Sequence, residues 1–349
     1  MVKHSVFGVE RDIDIPANEF PTESELEAME APLTAAGCQH EWFESTHDNL
    51  QLHIRKYLPS DDKKNPKAIV IFMHGLQSHC GMAYVMSNGR LVNNALLADH
   101  YTKLGFAVYA FDLVGHGYSE GARHVMPSTT VLEQDLVEFA KLITSRYPTG
   151  TPWFLTGESL GGNITLQAAR YFQDHPEEFP SGFQGIVLFS PAIYPDTMYA
   201  PAQWYLQLCV TPFIPNWRPP ACIPNPVGPS KVWRDPERVA KGLEHNPISA
   251  HCKHPPYLSL WTLTVAMRVV RDQSIPGLTL PFCVVHGVKD SAIPVVGSEY
   301  LVDRASTPES DKAHKFYEEA FHDLLAEPEA EEVVTFTSDW MNQRLSQAN

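Results

Sequence analysis

The sequence predicts an α/β fold: a mostly parallel central sheet with helices on both faces and an inserted subdomain. Three observations carry that prediction. From residue 68 onward, short wholly apolar segments alternate with helical ones, as in a parallel sheet whose strands are buried on both faces. One such strand, 152–156, runs into Gly157-Glu158-Ser159-Leu160-Gly161, and a helical pattern follows over 163–173. The alternation stops at Pro191 and resumes near Leu280, so a subdomain is inserted between two strands of the sheet.

Residues 1–38 read as an acidic extended arm, solvated and loosely packed, with one short helical stretch near Glu23–Glu30. Glu41–Ser45 and Leu50–Tyr57 read as strands joined by a turn at His47-Asp48-Asn49, where Asp and Asn tolerate left-handed backbone angles. Ser60–Asn65 is a charged loop. Ala68–Met73 is a buried strand ending in His74-Gly75-Leu76, and a helix is expected over 91–104. Strand Ala107–Phe111 leads to Asp112 and the glycine-rich loop Gly115–Gly121. That loop lacks the Gly-Lys-Ser/Thr ending of a P-loop and the spacing of a dinucleotide site, so it reads as a structural turn, with His116 as a structural hydrogen-bonder. Helix 131–147, the serine-bearing turn and strand 185–189 follow.

The inserted stretch, 191–280, is rich in proline and aromatics, with helices expected over 201–210 and 258–271. It leaves and re-enters the sheet at the edge where open α/β sheets bind ligands, so it is expected to cap that edge. Strand 282–286, a mainly helical stretch 294–305, strand 315–318 and a closing helix over 329–345 complete the chain. The organisation predicted is an arm (1–38), a core (39–190 and 281–349) and a cap (191–280).

The chain has 349 residues and a net charge of −15, which argues against a nucleic-acid partner, since phosphate binding needs clustered cations. Six cysteines without a C-x-x-C pair suggest free thiols in a reducing compartment, and no metal site. Residues 1–30 lack the apolar core of a signal peptide, and no run of 18 apolar residues occurs, so cytoplasmic residence is the expectation. Peripheral membrane contact through the cap stays open.

The chemistry is read from placement. Gly-x-Ser-x-Gly between a strand and a helix is the nucleophile elbow, a strained turn that lifts the serine hydroxyl out of the sheet. A side chain at Gly157 or Gly161 would collide with the neighbouring strand and helix. A serine hydroxyl needs a base, and the base needs a partner that fixes its tautomer. His322 follows the last predicted core strand, and Asp290 follows the one before, both at the edge that carries Ser159. The order Ser159, Asp290, His322 is the triad order of such elbows. Asp323 is the rival acid, and His286 and His314 are the rival bases. The oxyanion donors expected are the backbone N–H groups of Leu160, at a helix start, and Leu76, after strand 68–73. No metal or organic cofactor is required.

His74-Gly75-Leu76-Gln77-Ser78-His79, Asp112 through Gly121, and Gly157-Glu158-Ser159-Leu160-Gly161-Gly162 resemble the monoacylglycerol lipase-like branch of serine α/β-hydrolases. So do His286-Gly287-x-x-Asp290-x-x-x-Pro294, Phe321-His322-x-Leu324-Leu325 and, in the cap, Trp233-Arg234-Asp235-Pro236 with Asn246-Pro247. Glu158 before the serine is similar to plant-type members: monoacylglycerol lipases, lysophospholipases and caffeoylshikimate esterases. The resemblance spans residues 40–345 and implies an ester hydrolase for a monoacylglycerol or lysophospholipid. The alternatives it leaves are an esterase for small or phenolic esters and, in another class, a hydrolase-fold binding protein without turnover. Cys80 lies near the oxyanion loop and reads as an inert thiol.

Overall fold

A computed structural model describes residues 2–17, 19–46, 48–60, 65–89, 91–194, 204–225, 227–244 and 253–347. His47, Asn246, Pro247 and Cys252 lie outside the described residues.

The arm is built, not loose. Strands β1 (Val2–Val6) and β2 (Val9–Ile13) pair antiparallel through a two-residue turn at Phe7-Gly8, both at positive φ. Helix α1 (Glu23–Ala35) starts at a Thr22 capping box closed by Glu25. Val6, Ile13 and Leu33 are fully buried. The decisive contact is polar. Arg55, itself buried, places its guanidinium across both oxygens of Glu30, and the Tyr118 hydroxyl donates to the same carboxylate at 2.9 Å. An acidic residue here is therefore a buried counterion, which the reading of the arm as a solvated segment missed.

Strands β3 (Gln39–Glu44), β4 (Gln51–Tyr57) and β5 (Ala68–Met73) follow. A small hairpin, β6 (Ala83–Val85) with β7 (Leu91–Asn93), occupies the place where the expected helix would begin. Helix α2 spans only Asn94–Lys103, because Asn93 sits at φ 57° and gives its N–H to the Leu325 carbonyl at 2.8 Å. Then come β8 (Phe106–Phe111), α3 (Thr129–Thr144), β9 (Trp153–Glu158), α4 (Leu160–Asp174) and β10 (Phe183–Phe189). Between β10 and the next strand lie a π-helical turn, Leu206–Val210, and helices Pro229–Val232, Pro236–Glu244 and Tyr257–Val269. Strand β11 (Phe282–Gly287), helix Val296–Arg304, β12 (Lys312–Tyr317) and helix Ala330–Gln347 complete the order.

The main sheet has the order β12-β11-β10-β9-β5-β8-β4-β3. All neighbours are parallel except β8–β4 and β4–β3. Strands β5 and β8 are apolar throughout because both faces of the sheet are covered there. Ile69, Ile71 and Met73 pack in the layer with residues of α3 and α4, while Val70 and Phe72 pack in the layer with α2 and the C-terminal helix. The parallel strands therefore all present their C-terminal ends at one edge, where the residues after β5, β9, β11 and β12 meet.

Candidate active site

Ser159 sits between β9 and α4 at φ 54°, ψ −120°, a left-handed backbone that a serine rarely adopts. Its N–H donates to Phe189 O at 2.9 Å, and its carbonyl accepts from Ala192 N at 2.8 Å, so the strain is held from both sides. The turn is too tight for side chains beside it. A Cβ on Gly161 would lie 2.2 Å from the Met73 carbonyl oxygen, and one on Gly157 would lie 2.4 Å from that of Gly161.

Asp290 follows β11 at the same edge. Its Oδ1 accepts the N–H groups of Ala292 and Ile293, each at 2.8 Å. Its Oδ2 lies 2.5 Å from Nδ1 of His322 and 3.0 Å from Nε2 of His286. Burial alone would raise the Asp290 pKa. The charge of His322 and hydrogen bonds from both imidazoles outweigh it and hold the carboxyl below the ordinary carboxylate range. On the other side of the pair, burial would lower the pKa of His322, but the Asp290 carboxylate more than reverses that and raises it. With Nδ1 engaged, Nε2 is the ring nitrogen left for proton transfer. His322 and Ser159 line one cavity.

The rival residues are occupied elsewhere. His286 is anchored by Ser298 Oγ at 2.7 Å and by the Ile293 carbonyl, and serves as a second support of Asp290. His314 lies exposed on β12 beside Phe316. Asp323 turns away from the His322 ring: its Oδ2 accepts from Asn93 Nδ2 and Trp233 Nε1, each at 2.6 Å. Arg238 stacks 4.0 Å over the Trp233 ring and donates to Asn93 Oδ1. Arg234 reaches Glu327 and Glu329 just past the His322 loop. The Trp233-Arg234 segment is thus a clasp between the inserted stretch and the loop that carries His322. Sequence alone offered no reason to join Asn93, Trp233 and Asp323, which are separated by up to 230 positions.

Leu76 lines the same cavity as Ser159, and Leu160 is the first residue of α4, where N–H groups have no carbonyl four residues back. The loop holding Leu76 is fixed by buried His74. Its Nε2 accepts from Leu113 N at 3.0 Å, so Nδ1 carries the proton given to Gly75 O. The glycine-rich loop is built around Asp112. That carboxylate accepts from Cys80 N and Tyr118 N and pairs with His53 Nδ1 at 3.0 Å. Burial alone would raise the Asp112 pKa, but hydrogen bonding to His53 and its charge bring it well below the usual range. His53, Cys80 and Asp112 stand close enough to share a cation, yet Asp112 is already satisfied by protein donors. Cys80 is buried, and burial pushes its thiol pKa well up.

The family model described as serine aminopeptidase, S33, matches residues 64–329. The rat monoglyceride lipase is 30% identical over 307 residues, covering 86% of this chain and 90% of the relative. The chain belongs to the monoacylglycerol lipase-like serine α/β-hydrolases. Within that family it also matches the caffeoylshikimate esterase of Arabidopsis thaliana, 26% identical over 93% of this chain and 97% of the relative. A soluble variant of the Saccharomyces cerevisiae monoglyceride lipase, solved with a substrate analog, superposes with a TM-score of 0.68. It is 20% identical and covers 88% of this chain and 94% of that one, a likeness of fold.

Proposed function

We propose that the chain hydrolyses monoacylglycerols through an acyl-enzyme on Ser159. The observation that carries the reading is the Asp290–His322 contact at 2.5 Å beside a serine held at positive φ in the same cavity. Ser159 Oγ attacks the ester carbonyl carbon and His322 Nε2 takes its proton. The Leu76 and Leu160 N–H groups receive the oxyanion. His322 then gives the proton to the departing alcohol as the C–O bond breaks. Water, deprotonated by the same nitrogen, releases the fatty acid and restores Ser159. Asp290 fixes the imidazole tautomer and stabilises its charged form, and His286 holds Asp290 in turn.

In this reading residues 191–280 act as the cap over a core of 39–190 and 281–349, and residues 1–38 form the arm. Val227, Val232 and Leu263 of the cap give the cavity an apolar wall suited to an acyl chain. Trp204, Tyr205, Leu208, Phe213 and Trp217 of the same stretch are all more than 60% exposed. We take them as the surface that meets a lipid interface. No helix among the described residues is long and apolar enough to cross a membrane.

The test is a kcat/KM panel over monoacylglycerols of increasing chain length, lysophospholipids and phenolic esters. Preference for a long-chain monoacylglycerol supports the reading. Preference for phenolic or short-chain esters would replace it with an esterase of the caffeoylshikimate type.

A further inference from the structure

The cavity beside Ser159 carries two carboxyl groups that the hydrolytic steps do not use. Glu158 and Asp323 both line it, alongside Ser159 and His322. Asp323 is buried, and only its Oδ2 is occupied, by Asn93 and Trp233. Its Oδ1 is also buried and has no hydrogen-bond partner among the described residues. A buried acceptor without a donor costs free energy, and this one belongs to a residue of the cavity wall, where a ligand donor could meet the carboxylate. Asn93 and Trp233 fix the carboxylate, so its orientation does not depend on the ligand.

We propose that Glu158 and Asp323 form the subsite for the leaving alcohol, hydrogen-bonding an uncharged diol and repelling an alcohol that bears phosphate or carboxylate. This rests on the acyl-enzyme reading above and names which of its substrate classes the site takes. Burial, reinforced by the charge of Asp323, pushes Glu158 up to about 8, so near neutral pH it is mostly a carboxylic acid. It can therefore donate one hydrogen bond and accept another, while Asp323 only accepts. A diol supplies both kinds of partner. A phosphodiester or carboxylate in place of one hydroxyl removes one of the diol's two donors and brings negative charge against Asp323. The same pair thus separates a glyceryl ester from a lysophospholipid and from an ester of an acidic alcohol. Such discrimination is strong because a mismatched alcohol leaves buried polar groups unpaired.

The experiment compares three oleoyl esters that share an acyl chain: 1-oleoylglycerol, 1-oleoylglycerol 3-phosphate and methyl oleate. For the wild type we expect kcat/KM to be highest on 1-oleoylglycerol and at least about a hundredfold lower on the phosphate. In Glu158→Leu the ratio of 1-oleoylglycerol to methyl oleate falls by about tenfold or more. Glu158→Gln, which keeps one donor and one acceptor, restores that ratio to within about threefold of wild type. Folding of each variant is checked by fluorophosphonate labelling. A wild type that cleaves the phosphate as well as the neutral ester overturns the subsite. So does a Glu158→Leu variant that leaves the ratio unchanged, lowering all three rates alike or none. If the wild type turns over methyl oleate but not 1-oleoylglycerol, the monoacylglycerol reading itself fails and the subsite with it.

Discussion

Replacing Glu30 by alanine removes the counterion from a guanidinium that is wholly buried. Arg55 has no exposed surface, and its two terminal nitrogens both address Glu30. Burial alone would raise the Glu30 pKa, yet Arg55 brings it from an ordinary 4.5 down to about 2. At about 1.4 kcal/mol per pH unit, that shift corresponds to about 3 kcal/mol of stability. The figure agrees with the loss of about 3–5 kcal/mol seen when one member of a buried pair is removed. The sign follows from a depressed carboxylate. The contribution is full above pH 4.5 and is lost as pH falls toward 2. Urea unfolding of wild type, Glu30→Ala and Glu30→Gln at several pH values reads this directly. Both variants should be less stable at pH 7, and the gap from wild type should narrow below pH 4.5. Replacing both partners by leucine and methionine should recover much of the loss. A change below about 0.5 kcal/mol at pH 7, or a gap that does not vary with pH, would refute the argument.

Four further outcomes are expected. Asp290→Asn should cut kcat by about 10⁴, because His322 would lose the tautomer it needs. Wild-type activity should fall as pH drops through a limb above the ordinary histidine value of 6.5, since His322 must be neutral to accept a proton, and residual activity in Asp290→Asn should show that limb moved to lower pH. In the native protein a maleimide should label exposed Cys209 and Cys222 quickly and leave buried Cys80 and Cys283 unmodified until denaturant is added, as peptide mapping would show. Serine at Trp204, Phe213 and Trp217 together should reduce co-sedimentation with phospholipid vesicles while a water-soluble short-chain ester is still hydrolysed.

The sheet was legible because its strands are buried on both faces, which leaves an unbroken apolar run at Ala68–Met73 and Phe282–Val285 that little else produces. The meeting of Ser159, Asp290 and His322 at one edge of the sheet was legible because each follows a strand of that sheet and parallel strands bring such loops together. The hairpin of the arm was hidden by Phe7, which stands in a two-residue turn where Asn would have announced it. Its ring stacks on His40 at 3.7 Å, a tertiary contact that sequence cannot display. The Asn93–Asp323–Trp233 cluster was hidden for the same reason. Each residue has an ordinary local reading, and only the fold makes them neighbours.

The acyl-enzyme on Ser159 is tested most directly by treating the folded protein with a fluorophosphonate, locating the adduct by peptide mass mapping, and measuring ester turnover in Ser159→Ala. A single adduct on Ser159 is expected, with no adduct in the variant and turnover lowered by about 10⁴–10⁶. An adduct on another residue, or turnover retained in Ser159→Ala, would contradict it.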